Sequence, residues 1–267
     1  MEYKPNHMKK ILLGALLFTG ILAQAQTTGL IHDDHAQLRK VSNFTAIKVS
    51  SAIDLYLTQG NNCEVAVSAS EEAYRNKIIT EVEGGTLIIK IENNEGWINW
   101  KNRGNMHAKA YVSVKDLSAL TASGATNVRL VNKIQSPKLK LNLSGASDIK
   151  GDLEVGTLNA QVSGASDFKG KLDAKVFVLN ASGASNVELK GSVDDLSVDA
   201  SGASSTKLYD LMAKGAMVKA SGASTAHVNA SQLIKLDATG ASSINYKGDA
   251  VVKESQSSGS SSIHHKN

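Results

Sequence analysis

Residues Leu143–Gly170 read LSGASDIKGDLEVGTLNAQVSGASDFKG, and the phrase that opens the stretch, centred on Gly145, returns near its end at Gly164. It returns again around Gly183, Gly202, Gly222, Gly240 and Gly259, and an earlier copy surrounds Gly124. Aligned on the glycine, the eight copies are spaced by 21, 19, 19, 19, 20, 18 and 19 residues. A degenerate ninth, SSAIDLYL at Ser50–Leu57, carries Ser51 in the glycine slot. Within a copy the apolar period is two. Leu139, Leu141 and Leu143 precede one phrase, and Leu158, Ala160 and Val162 the next; Ile149, Phe168, Val187 and Ile244 follow at glycine plus four. Strict alternation marks strands with one face in and one face out.

A unit of about nineteen residues cannot bury its own apolar face, but stacked copies can. The reading is therefore all-β: a right-handed parallel β-helix, or β-solenoid, its hand taken from the general rule for parallel crossovers. At ~4.8 Å per strand spacing, eight copies make a rod of roughly 38 Å. Gly124, Gly145, Gly164, Gly183, Gly202, Gly222 and Gly240 are expected at sharp corners, where φ is positive or another backbone passes very close. Pro137 is the only proline beyond the first five residues, as continuous ladders require. Aromatics make up 4% of the chain, which suits a narrow core of stacked aliphatic side chains.

The flanks differ. Lys9 and Lys10 precede an apolar run from Ile11 to Ala23 that ends in the small-x-small pattern AQA, so residues 1–25 are expected to be a signal peptide. Three lysines and one glutamate leave with it, lowering the formal net charge from +4 to +2. No dense basic patch argues for nucleic acid, and no later run is apolar enough to span a bilayer. The single Cys63 of an exported chain has no internal disulfide partner and is expected to be a buried, inert thiol. Residues 26–40 are expected as a linker, 41–263 as one β-helix domain and 264–267 as a frayed tail. Within the domain, 41–120 reads as degenerate turns with insertions and 121–263 as regular repeats. The 73 residues from Ser51 to Gly124 are close to four repeat lengths. SEEAYRNKI, Ser70–Ile78, reads as a short helix capped by Ser70. A polar last copy, with Lys253, Gln256 and Ser257 in inward slots, suits the exposed end of a stack.

FTAIKVSSAIDLYLTQG from Phe44, AYVSVKDLSALTASGATNVRL at Ala110–Leu130 and the SGAS series together resemble the head GIN domain of auto-transporter adhesins. The resemblance runs from about Val41 to Ile263. It implies an exported single-domain right-handed β-helix, similar in shape to pectate lyases, and it brings no catalytic residues.

Candidate sites are few. The column at glycine plus three reads Asp54, Asn127, Asp148, Asp167, Asn186, Ser205, Thr225, Ser243 and Ser262. Asp148 and Asp167 are weak candidates for a hard cation such as Ca²⁺. The competing reading makes the column short polar side chains bonded to corner backbone. HDDH at His32–His35 has ligand-type residues without a second pair nearby. Trp97 and Trp100, the only tryptophans, fall in the irregular loop NNEGWINWKNRGN and are the candidate binding residues; the alternative is that both rings cover the solenoid. A lyase would need acids with Arg or Lys as base on one face, and Arg129 is the last arginine. No nucleophile elbow, phosphate-binding glycine loop or HExxH motif is present. The expectation is a non-catalytic, cofactor-free, adhesin-like or structural module of the cell envelope, with a carbohydrate-active enzyme as alternative. Its partners would be a surface glycan, an envelope protein or further copies of itself.

Overall fold

The computed structural model describes residues 33–92 and 107–266. Alternation decides every regular turn. In the strand Asp148–Val162, Ile149, Leu153 and Val155 point inward, Gly151 occupies an inward slot without a side chain, and the phase slips at Gly156–Thr157. Leu158, Ala160 and Val162 then point inward up to the next corner. This turn thus carries the SGAS corner, the internal glycine and the phase slip, whereas Ser205–Ala220 and Thr225–Ala238 have no glycine at the internal position.

In chain order the strands are β1 (Gln37–Arg39), β2 (Ala46–Val49), β3 (Ile53–Gln59) and β4 (Glu64–Ser68). After helix α1 (Glu72–Arg75) come β5 (Ile78–Glu83), β6 (Thr86–Ile91), β7 (Ala108–Val114), β8 (Ala119–Ala122) and β9 (Asn127–Leu130). The regular turns follow: β10 (Ile134–Leu143), β11 (Asp148–Val162), β12 (Asp167–Ala181), β13 (Asn186–Ala200), β14 (Ser205–Ala220) and β15 (Thr225–Ala238). β16 (Ser243–Lys247), β17 (Val251–Ser257) and β18 (Ser262–His265) complete the stack. From β10 onward each turn lies parallel on the one before; from β13 to β17 the register is interrupted by local shifts within the turns and resumes before each corner. Ile149 lies opposite Phe168, Phe168 opposite Val187, Leu158 opposite Phe177 and Phe177 opposite Leu196. These side chains are fully or almost fully buried. Like residues stack on like, so one set of columns forms the whole core.

The corners carry the repeat's signature. Gly124, Gly145, Gly164, Gly183, Gly202, Gly222 and Gly240 all have φ between 68° and 83°. A Cβ on Gly145 would lie 2.5 Å from the Gly124 carbonyl oxygen, and one on Gly183 would lie 2.6 Å from that of Gly164. The Gly124 carbonyl accepts the Ala146 N–H at 2.7 Å and the Gly164 carbonyl the Ala184 N–H at 2.7 Å, so the ladder continues through the bend. Both expected reasons for glycine therefore hold together. The hydroxyl at glycine plus two turns inward: Thr126, Ser147, Ser166, Ser185, Ser204, Ser224 and Ser242 are all buried. Ser147 Oγ donates to the Ser144 carbonyl at 2.9 Å. Ser224 Oγ reaches the carbonyls of Ala200 at 2.9 Å and Ser221 at 2.8 Å. Most of these buried hydroxyls are thus paired with corner backbone, as buried polar groups must be, with Ser185 the exception.

The N-terminal region departs from serial winding. β2 pairs parallel with both β6 and β8, and β3 with both β7 and β9. The turn β2–β3 thus sits between β6–β7 and β8–β9. The 73 residues from Ser51 to Gly124 are a single step of the stack, not four, and Asn127 Nδ2 donates to Asp54 Oδ1 across it at 2.7 Å. The inserted β4 and β5 pair antiparallel with β7 and β6.

Four local expectations are corrected. The helix spans only Glu72–Arg75, its N-cap is Glu71 with no side-chain cap bond, and Ile78 already begins β5. The end of the expected linker forms β1, antiparallel to β4. His264 and His265 are not frayed: they end β18, where the Tyr246 and His265 rings stack at 4.7 Å. Cys63 is half-buried rather than buried, its thiol donating to the Phe44 carbonyl at 3.4 Å. β17 is exposed throughout, with polar residues at most of its positions.

Candidate functional site: a grooved face on the first strands of the stack

Inward residues of β3, β9, β11 and β12 build the core, so their alternate residues must face out. Parallel register then lines those residues up in columns. Tyr111, Tyr56, Arg129, Lys150 and Lys169 are consecutive neighbours across strands. Beside them runs the column Asp54, Asn127, Asp148, Asp167. Residues of both columns line a groove of about 420 Å³. A second groove, about 360 Å³, lies beside it, walled by Arg129, Asn132, Lys133, Lys150 and Asp152. Arg129 and Lys150 border both.

The aromatic end is held from behind. The Tyr56 and Tyr111 rings stack at 5.2 Å between centroids, and the Arg129 guanidinium lies 5.9 Å from the Tyr56 ring centre. Tyr111 Oη donates to Asp33 Oδ2 at 2.6 Å; Ser68 Oγ and the His35 N–H reach Asp33 Oδ1, each at 3.1 Å. Burial by itself would raise the Asp33 pKa, but those hydrogen bonds and the nearby Lys109 outweigh it and hold the carboxyl below its ordinary value. Burial first, then the bond to Asp33, pushes the Tyr111 phenol up. The phenol therefore stays a neutral donor.

Asp148 and Asp167 do lie one turn apart. Asp167 is tied to Lys169 Nζ at 2.7 Å, and Asp148 Oδ1 accepts the Asp167 N–H at 3.3 Å. That is the bonding of a polar corner column. Of HDDH, Asp33 is engaged with Tyr111 and Ser68, and His32 lies outside the described residues. Among the described residues no group of three or more His, Cys, Asp or Glu side chains is placed to hold a metal. Trp97 and Trp100 also lie outside the described residues. They fall between β6 and β7, where the neighbouring turn β2–β3 needs only three residues for its corner. The grooved face was not found from the sequence, although the glycine-plus-five column that supplies it can be read from the period: Tyr56, Arg129, Lys150, Lys169. The buried serine column was missed in the same way.

Solved structures share this architecture. One from Parabacteroides distasonis, described as a putative lipid binding protein, is 22% identical with a TM-score of 0.74, covering 87% of this chain and 96% of that one. A putative adhesin from Parabacteroides merdae is 17% identical with a TM-score of 0.75, covering 87% and 95%. A putative adhesin from Parabacteroides distasonis is 20% identical with a TM-score of 0.76, covering 86% and 96%. At such identities they establish the fold alone. No curated protein matches the chain. The family model described as "Putative auto-transporter adhesin, head GIN domain" matches residues 43–171 and again 156–250, so the chain belongs to that family.

Proposed function

We propose that this protein is an exported, non-catalytic, adhesin-like binding module of the cell envelope. The observation that carries the reading is the grooved face. Side chains from four stacked strands converge there on a rigid ladder, which positions them at little entropic cost on binding. Family membership and the adhesin descriptions of structural neighbours support the adhesin-like part. Export rests on the leader-like residues 1–25. The groove walls are rich in charged side chains, which suits a hydrated polar ligand such as a surface glycan better than an acyl chain.

The test is a glycan array with the purified chain, followed by assay of every bound polymer for new reducing or unsaturated ends. Binding without chain cleavage is expected. Release of such ends would instead favour the carbohydrate-active enzyme, and a blank array would remove the binding module.

A further inference from the structure

We propose that Arg129 and Lys150 form a carboxylate subsite for a sparsely charged acidic glycan, of the uronate type. The inference rests on the binding-module reading and names its ligand class. Arg129 and Lys150 are direct cross-strand neighbours, and both are exposed. Like charges so placed repel. Around them the other charges are engaged: Lys169 with Asp167, Lys133 with Glu154, and Asp152 with the Lys171 N–H. Among the described residues, neither Arg129 nor Lys150 has a carboxylate partner, and the one contact of the Arg129 guanidinium is the Tyr56 ring. That ring is backed by Tyr111, whose hydroxyl is fixed by Asp33. The ring lies beside the guanidinium and leaves its hydrogen-bond donors free of protein acceptors. An anion between the two cations would relieve their repulsion and use donors prepared for it.

The surroundings set the kind of anion. Asp54 and Asp148 line the same groove, each accepting one bond from the protein and keeping further lone pairs free. Carboxylates accept sugar hydroxyls but repel a densely sulfated or phosphorylated chain. A polymer with one carboxylate per sugar and hydroxyls beside it fits both columns.

The experiment measures binding of the full chain to polygalacturonate, its methyl ester, heparin and a neutral glucan. Arg129→Gln and Lys150→Gln are tested, with Lys219→Gln as a control on another exposed strand segment. The expected result is that polygalacturonate binds and its methyl ester does not. Each groove substitution should weaken binding roughly ten-fold or more, the worth of a charge-assisted contact, while the control changes nothing. Unchanged melting midpoints will show that the variants fold. Equal binding of the ester, preference for heparin, or indifference to both substitutions overturns the proposal. If only glycans without a carboxylate bind on the array, the subsite is refuted and the module stands. If the array is blank as well, both fall.

Discussion

At a corner glycine two demands meet in one residue. Gly183 has φ 71°, and its missing Cβ makes room for the Gly164 carbonyl oxygen. Gly183→Val should therefore cost about 2–5 kcal/mol, from left-handed strain of about 1–2 plus overlap with rigid backbone. Thermal melting reads the loss, and an unchanged midpoint would refute both causes. Ser51 presents the reverse case, a non-glycine at φ 68° in the same slot. Ser51→Gly should stabilise by about 0.5–1 kcal/mol, since relief of strain exceeds the added chain entropy of glycine. A lower melting midpoint would contradict it. The glycine's role was legible in the sequence because the residue type itself reports backbone demand. Serine does not do so: Ser144 and Ser147 look alike in SGAS, and only the side a residue faces separates them.

At the scale of the element, the inward serine column makes a graded prediction. Ser224 reaches two carbonyls, whereas the buried Ser185 hydroxyl has no partner. Ser224→Ala should cost about 1 kcal/mol, while Ser185→Ala should be neutral or slightly stabilising. Equal effects on denaturant midpoints would mean that the column acts by size alone. Strand β1 supplies a second case through Asp33, which ties the segment just before it to Ser68 and Tyr111. The Asp33 pKa is lowered on folding, so the folded state binds fewer protons. Its contribution is complete above the unfolded value of about 4 and is lost as pH falls through the folded value. Protection of the β1 amides from hydrogen exchange, taken relative to the unfolded chain at the same pH, should therefore fall on acidification, and Asp33→Asn should show the lowered protection already at pH 7. No change with either would refute the tether. From sequence, helix α1 reads too long and β1 reads as linker, because segments of three or four residues show too little of any period to mark them or fix their ends.

Across the whole molecule, alternation told which residues face inward but not which turn lies on which. In the SGAS series, order along the chain and order in space coincide, so that stack was legible. Before Gly124 they do not, since β2–β3 lies between two later turns, and a 73-residue gap that resembled four turns is one. The grooved face depends on that order. Tyr56 meets Arg129 only because β3 pairs directly with β9, and Tyr111 joins them only because β7 lies on the other side. Positions 142, 161, 180, 199, 219, 237 and 256 are paired in succession along one outward column. The most direct test is a set of distances between paired spin labels along it, in a chain with Cys63 replaced by Ala. Label separation should grow in proportion to the number of turns, at ~4.8 Å each, reaching about 29 Å for Asn142 with Gln256. Separations that do not rise linearly with turn number would contradict the stack, and with it the face built upon it.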